Sequence, residues 1–242
     1  FAKHYSIKAA KASKVAKSTR AAEALIGDIP PWEGRVLYSA RVDPHLTFGC
    51  EVSLDIDATL LRPLGDVQHQ YLRRSLGLSA RCATVVLFTD TGLQPLRYRR
   101  ALLALRYLQY MFLLGDTASL ISCALTEAFA LACNSPSSSS WKSDLHHVLA
   151  GLQPPVVFDY HCPLSATLLS RLVDAVTAFL HASLRQVVST LPKLSLLATC
   201  TKTGDGAVLA FWHYLHVLVP QHRVALMRLL VSDHPLAVEC LR

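Results

Sequence analysis

Apolar residues along this chain recur at mixed spacings of three and four far more often than in strict alternation, a pattern that predicts helices and an all-α fold. Residues 3–26 contain no Gly or Pro. On a helical wheel Tyr5, Ala9, Ala12 and Ala16 share one narrow face, while Lys8, Lys11, Lys14 and Lys17 spread over roughly the opposite half-cylinder. Gly27 followed by Pro30 and Pro31 is a stop signal. A second helix opens at Pro31 or Trp32 and runs through Leu37, Tyr38 and Val42. It is expected to break or kink near Pro44, whose ring removes a backbone donor. The pattern over 45–54 is ambiguous. A third helix is expected from about Ala58 to Leu76 on Leu60, Leu61, Leu64, Val67, Tyr71, Leu72 and Leu76, with Gly77 as its stop.

The stretch CATVVLFTDTG, 82–92, has the β-branched content of a strand, but it is brief and flanked by helical signals, so it reads as a short helix. Pro95 suits the first turn of the next helix. Residues 95–114 are apolar nearly all round except for a strip through Arg99, Arg106 and Tyr110, the pattern of a mostly buried helix with one edge free. The serine run NSPSSSS, 134–140, is a candidate linker, and GLQPP, 151–155, is a further break. Residues 164–191 form a clean amphipathic helix: Leu168, Leu172, Ala175, Val176, Phe179 and Val187 make its apolar stripe, Arg171, Asp174, His181 and Arg185 its polar line, and Pro192 its limit. Asp205 is placed to cap a helix running to Val219, and Ser232 or Asp233 with Pro235 to start a last short one.

Composition sharpens this picture. Hydrophobic residues make up 52% of the 242, mean hydropathy is +0.32, and charged residues are only 17%, below the usual share of about 25%, so much of the surface is expected to meet something else. The longest apolar stretches, 101–114 and 207–219, are interrupted by polar side chains and fall short of the roughly 20 residues a membrane span needs. Seven cysteines, an odd number with gaps of ten residues or more, suit a reduced, intracellular compartment, nuclear or cytoplasmic. The chain opens at Phe1 without a secretory pattern and reads as an internal piece of something longer. Residues 1–106 hold 16 Lys and Arg against 9 Asp and Glu, and the remainder holds 8 of each, so the whole +7 lies in the first part. That asymmetry points to a polyanionic partner, against the plainer reading of a solvated basic surface.

Catalytic patterns are absent. Polymerase palms hold two metal ions on carboxylates that include adjacent aspartates, and there is no Asp-Asp pair here. Asp55-Ile56-Asp57 would set two carboxylates on one side of a strand, but beside Thr59 it reads more simply as a loop and helix cap. His213 and His216, at i and i+3 with His222 following, have ligand spacing but no third ligand nearby, and His161-Cys162 fares no better. Neither a nucleophile elbow nor a phosphate-cradling or dinucleotide-binding Gly-rich loop is present. No catalytic residue, metal ligand or cofactor is assigned to this chain.

Three segments, KAAKASKVAKSTRAAEALIGDIPPWEGRVLYSARVDPHLTFGCEV, VQHQYLRRSLGLSARCATVVLFTDTGLQPLRYRRALLALRYLQYM and HRVALMRLLVSDHPLAVECLR, occur in an order and at a spacing that resemble the region after the palm in reverse transcriptases of non-LTR, LINE-like retrotransposons. The resemblance rests on a Lys-Ala helix, then Leu37-Tyr38 and Phe48-Gly49. A Gln helix ending in Arg, Leu and Gly follows (Gln68, Arg73, Arg74, Leu76, Gly77), and then a Gly-x-x-Pro-Leu-Arg approach to an Arg-rich helix (Gly92, Pro95, Leu96, Arg97, Arg99, Arg100, Arg106). It is good over about 4–114, weak over 115–205 and moderate beyond. Phe48 stands where Tyr is commoner, and Val52 or Ser53 replaces a usual Trp.

The resemblance implies a helical thumb-like unit followed by a second helical bundle: a basic thumb-like region over 1–115, a connecting helix over 116–133, the serine linker at 134–140 and a C-terminal helical region over 141–242. It implies a non-catalytic part of an RNA-directed DNA polymerase whose palm precedes Phe1, whose Cys/His-rich tail follows Arg242, and whose active site elsewhere uses Mg. The implied partners are an RNA/DNA template-primer duplex and that palm, with no membrane. Phosphate contacts would come from Lys8, Lys11, Lys14, Lys17, Arg73, Arg74, Arg97, Arg99, Arg100 and Arg106. The competing expectation is a helical protein-interaction module, or a decayed element remnant without polymerase function.

Overall fold

The computed structural model describes residues 2–114, 119–134, 140–153, 155–156, 165–202 and 208–234. The fold is all-α, and the one extended pairing among the described residues is a single antiparallel bridge between Thr91 and Phe211. Residues 135–139 of the serine run, Asp205 with its expected cap, His161-Cys162 and the expected last helix from Pro235 lie outside the described residues. Backbone contacts gather the chain into two compact units, each assembled from separated segments: Phe1–Leu46, Pro63–Pro95 and Leu184–Arg242 in the first, Thr47–Arg62 and Leu96–Ser183 in the second.

In the first unit, α1 (Ala2–Ala21) buries Tyr5, Ala9 and Ala12 and packs against the turn Tyr38–Val42. Alanine at these positions lets two backbones approach closely, which a larger side chain would prevent. A short α2 (Glu23–Ile26) ends at Gly27 with φ 83°. Of the break or kink expected near Pro44, the break does not occur, and the helix is disturbed by a π turn just ahead of it. α3 (Pro31–Leu37) continues through a π turn, Tyr38–Val42, into α4 (Asp43–Thr47), and the Asp43 N–H donates to the Tyr38 carbonyl five residues back. The wider turn absorbs the donor and space that Pro44 denies to a regular helix.

α5 (Arg62–Leu76) starts four residues later than the pattern suggested, because Pro63 belongs in a first turn. Residues 57–62 precede it as successive turns, with Asp57 accepting from the Thr59 N–H at 2.8 Å and from its hydroxyl at 2.6 Å. Its end is a Schellman arrangement: the Leu78 N–H donates to the Arg73 carbonyl at 2.9 Å, the Gly77 N–H to that of Arg74 at 3.3 Å, and Gly77 takes φ 67°. A Cβ on Gly77 would lie 2.8 Å from Val224 Cγ2. Gly77→Ala is therefore expected to cost about 1–3 kcal/mol, from the left-handed backbone and the contact together, read as a lower midpoint of thermal unfolding; an unchanged midpoint would reject this account of the turn.

α6 (Thr84–Thr89) bears out the helical reading of 82–92. It leads to Asp90, fully buried, whose carboxylate accepts from the Thr89 hydroxyl at 3.0 Å and from the Tyr214 hydroxyl, while its carbonyl accepts the Trp212 N–H at 3.2 Å. Burial pushes the Asp90 carboxyl up to about 7, against the two hydroxyl donors that favour its charge. Residues 208–219 are consequently not the helix expected to run to Val219. Phe211 pairs with Thr91, and only a 3₁₀ turn, His213–His216, follows before α12 (Pro220–Leu230).

The second unit is built on α7 (Leu96–Leu114), α8 (Ser119–Asn134), α9 (Trp141–Ala150) and the first part of α10 (Ala166–Thr190). Ala101, Leu102, Leu105 and Leu108 of α7 pack with Leu145, Val148 and Leu149 of α9 and with Leu169, Leu172 and Val176 of α10. Ser140 caps α9 in a reciprocal capping box with Ser143. The buried stripe of α10 is Leu169, Leu172, Val176, Leu180, Leu184 and Val188; Phe179 and Val187, assigned to it from sequence, are exposed. After α10 come a 3₁₀ turn, Pro192–Leu194, and α11 (Ser195–Lys202).

Candidate nucleic-acid interface

α1 contains no acidic residue, and with Tyr5, Ala9 and Ala12 turned inward, Lys3, Lys11, Lys14 and Lys17 are exposed while Lys8 is half-buried. No carboxylate among the described residues pairs with Lys11, Lys14 or Lys17. Near the end of the helix Arg20 is only 4% exposed; it pairs with Glu23 and lies 4.7 Å from the centre of the Tyr71 ring, whose hydroxyl donates to the Gly34 carbonyl at 2.9 Å. These contacts hold the C-terminal turn of α1 against α3 and α5 and so fix the direction in which the lysine face points.

The arginines expected to join this face divide sharply. Arg74 is 63% exposed and reaches Glu23 at 3.1 Å. Arg73 is half-buried and turns to the Cys82 carbonyl at 3.4 Å and the Thr84 hydroxyl at 3.3 Å, where it secures the approach to α6. The remaining four belong to the second unit. Arg106 is exposed, Arg97 and Arg99 are half-buried, and Arg100 is 2% exposed. Arg100 corrects the sequence reading: its Nε and Nη2 meet the two oxygens of Asp55 at 2.5 and 2.7 Å in a buried two-pronged ion pair, so its guanidinium is closed to phosphate.

The same pair decides the other carboxylate reading. Asp55 faces Arg100 and Asp57 caps Thr59, so the two do not present a joint pair of free carboxylates to an ion. His216 lies at the surface with its ring engaged, stacked on Trp32 at 5.3 Å and edge-on to Phe211 at 5.1 Å, while His213 is exposed. Burial pushes both the Cys50 and the Cys82 thiol up to about 12, which keeps them protonated and unreactive at neutral pH. Among the described residues no group of three or more His, Cys, Asp or Glu could hold a metal ion, and no helix is long and apolar enough to cross a membrane.

Two features escaped the sequence. Asp90 falls within the stretch 82–92 read as a short helix, and Trp32 and Arg35 within the helix read from Pro31 to Val42, with nothing to set them apart. Their partners, Tyr214, His216 and Phe211, are far away in the chain and carry no local signal. Comparison with models of known protein families, with curated proteins and with solved structures finds no match.

Proposed function

We propose that this chain is the post-palm, thumb-like part of a non-LTR retrotransposon reverse transcriptase, a non-catalytic region that grips the template-primer duplex through its phosphates. The observation that carries the reading is α1: an acid-free helix anchored by its alanine face, with Lys11, Lys14 and Lys17 exposed and unpaired by any described carboxylate. Such a face binds a duplex without reading its sequence. Arg74 in the first unit, and Arg97, Arg99 and Arg106 in the second, remain candidate contacts. In the parent enzyme the palm would supply the metal-binding aspartates and use Mg; the region proposed here would place the duplex, in an intracellular setting.

A titration of the full chain with an RNA/DNA hairpin duplex at several salt concentrations tests this. Exchanging Lys8, Lys11, Lys14 and Lys17 for Gln should lower the slope of log K against log salt by about three to four units, since each neutralised phosphate releases condensed counterion. Equal slopes would reject the role of α1.

A second reading, a protein-interaction module, draws on single exposed side chains, Leu25 and Leu218 in the first unit and Phe48, Leu113 and Leu120 in the second, each more than three-quarters exposed. Salt-insensitive association with a protein, together with no duplex binding, would select it.

A further inference from the structure

The segment that Asp90 holds in place brings a second kind of surface to the first unit. Phe211 and His216 come from the 208–217 segment, and Trp32 and Arg35 from α3; His216 is exposed and the other three are half-exposed. Trp32 and His216 stack with an interplanar angle of 24°, Phe211 meets the same imidazole edge-on, and the Arg35 guanidinium sits 5.8 Å from the centre of the Phe211 ring. Trp141 of the second unit donates its indole N–H to the Glu51 carbonyl at 3.1 Å. By contrast, no described residue accepts from the Trp32 indole, and none pairs with Arg35 beyond the ring contact.

The cluster is thus a set of aromatic faces with unengaged donors and no carboxylate of its own. Glu33 follows Trp32 in sequence but points about 100° away around the helix. A ligand that fits must offer flat π faces for stacking, and acceptors or negative charge for the guanidinium and indole donors. Unpaired nucleobases on a phosphate backbone offer both.

We infer that Trp32, Arg35, Phe211 and His216 form a stacking site for unpaired bases of single-stranded RNA or DNA, distinct from the lysine face of α1. The inference deepens the nucleic-acid reading but does not need the retrotransposon resemblance. A duplex keeps its bases stacked inside and has nothing to give this surface; a single strand does.

The test uses the full chain, an oligothymidylate of about 12 nucleotides, within the usual footprint of such sites, and the RNA/DNA hairpin duplex. Binding of the single strand should quench tryptophan emission. Trp32→Ala should weaken single-strand affinity by about 5- to 150-fold, the effect of losing one stacked base, while Trp32→Phe keeps most of it and hairpin affinity is unchanged. Should Trp32→Ala lose its helical circular dichroism, Arg35→Gln decides by the same criterion, since Arg35 holds no ion pair that the fold would miss. Single-strand binding unaltered in both Trp32→Ala and Arg35→Gln, or absent in the wild type, overturns the site. So does quenching by a proline-rich peptide in place of the oligonucleotide. The two readings fail separately: loss of the salt-slope effect alone removes the lysine face, and loss of the Trp32 effect alone removes the stacking site.

Discussion

Arg100→Met is expected to destabilise the second unit by about 3–5 kcal/mol, because it leaves the Asp55 carboxylate, only 7% exposed, without its counter-charge in a low-dielectric interior. Much of that loss comes from stranding a charge, so the double variant Arg100→Met, Asp55→Leu should recover most of it, since apolar replacement of a buried ion pair is often close to neutral. Urea unfolding of the single and double variants measures both. Equal losses in the two would show that the pair is not the source. A duplex titration of the folded Arg100→Met chain should match wild type; a drop there would return Arg100 to the set of phosphate contacts.

The second large effect is on pH. Asp90 ordinarily titrates near 3.8 and in the folded chain near 7. Between those values the native state holds a proton that the unfolded chain has lost, so the Asp90 contribution to stability is greatest below pH 3.8, declines as pH rises, and levels off above about 7. The interval corresponds to a loss of roughly 4 kcal/mol. Asp90→Asn keeps an acceptor for Tyr214 and a donor for Thr89 and has no charge to desolvate. Subtracting its unfolding free energy from that of wild type at each pH isolates the group from the other carboxylates. The difference should move in favour of the asparagine variant as pH goes from 4 to 7, and a flat difference would mean that Asp90 is ionised in the folded chain without cost.

Helices were legible wherever a segment carries its own period. Residues 3–26, 95–114 and 164–191 could be read because an amphipathic stripe is a property of neighbours three and four apart. Pro44 announced a disturbance, yet its form, a π turn placed ahead of the ring, depends on what α1 packs against and is not written locally. The stretch 208–219 looked helical from its apolar content. Its conformation is instead set by Thr91 and Asp90, more than a hundred residues earlier, which capture its backbone and Tyr214. The lysine face was visible for the same reason as the helix that bears it. Arg100 was misplaced because an arginine looks the same in sequence whether it faces solvent or a buried aspartate 45 residues away. The aromatic cluster was invisible, since its halves meet only in three dimensions.

The interleaving of the two units along the chain also orders events during synthesis. The first unit needs residues beyond Leu184 to join segments that end at Pro95, and everything between belongs to the other unit. At about 5–20 residues per second, a ribosome leaves α3, α5 and α6 waiting several seconds for the stretch of chain that will cover them. During that interval Asp90 has no Tyr214, and the turn at Gly77 has no Val224 against it. The second unit, whose segments finish first, is then the one able to form while its neighbour is still incomplete. Nascent chains arrested after residue 183 should accordingly protect α7 and α9 from protease while α6 remains open to cleavage.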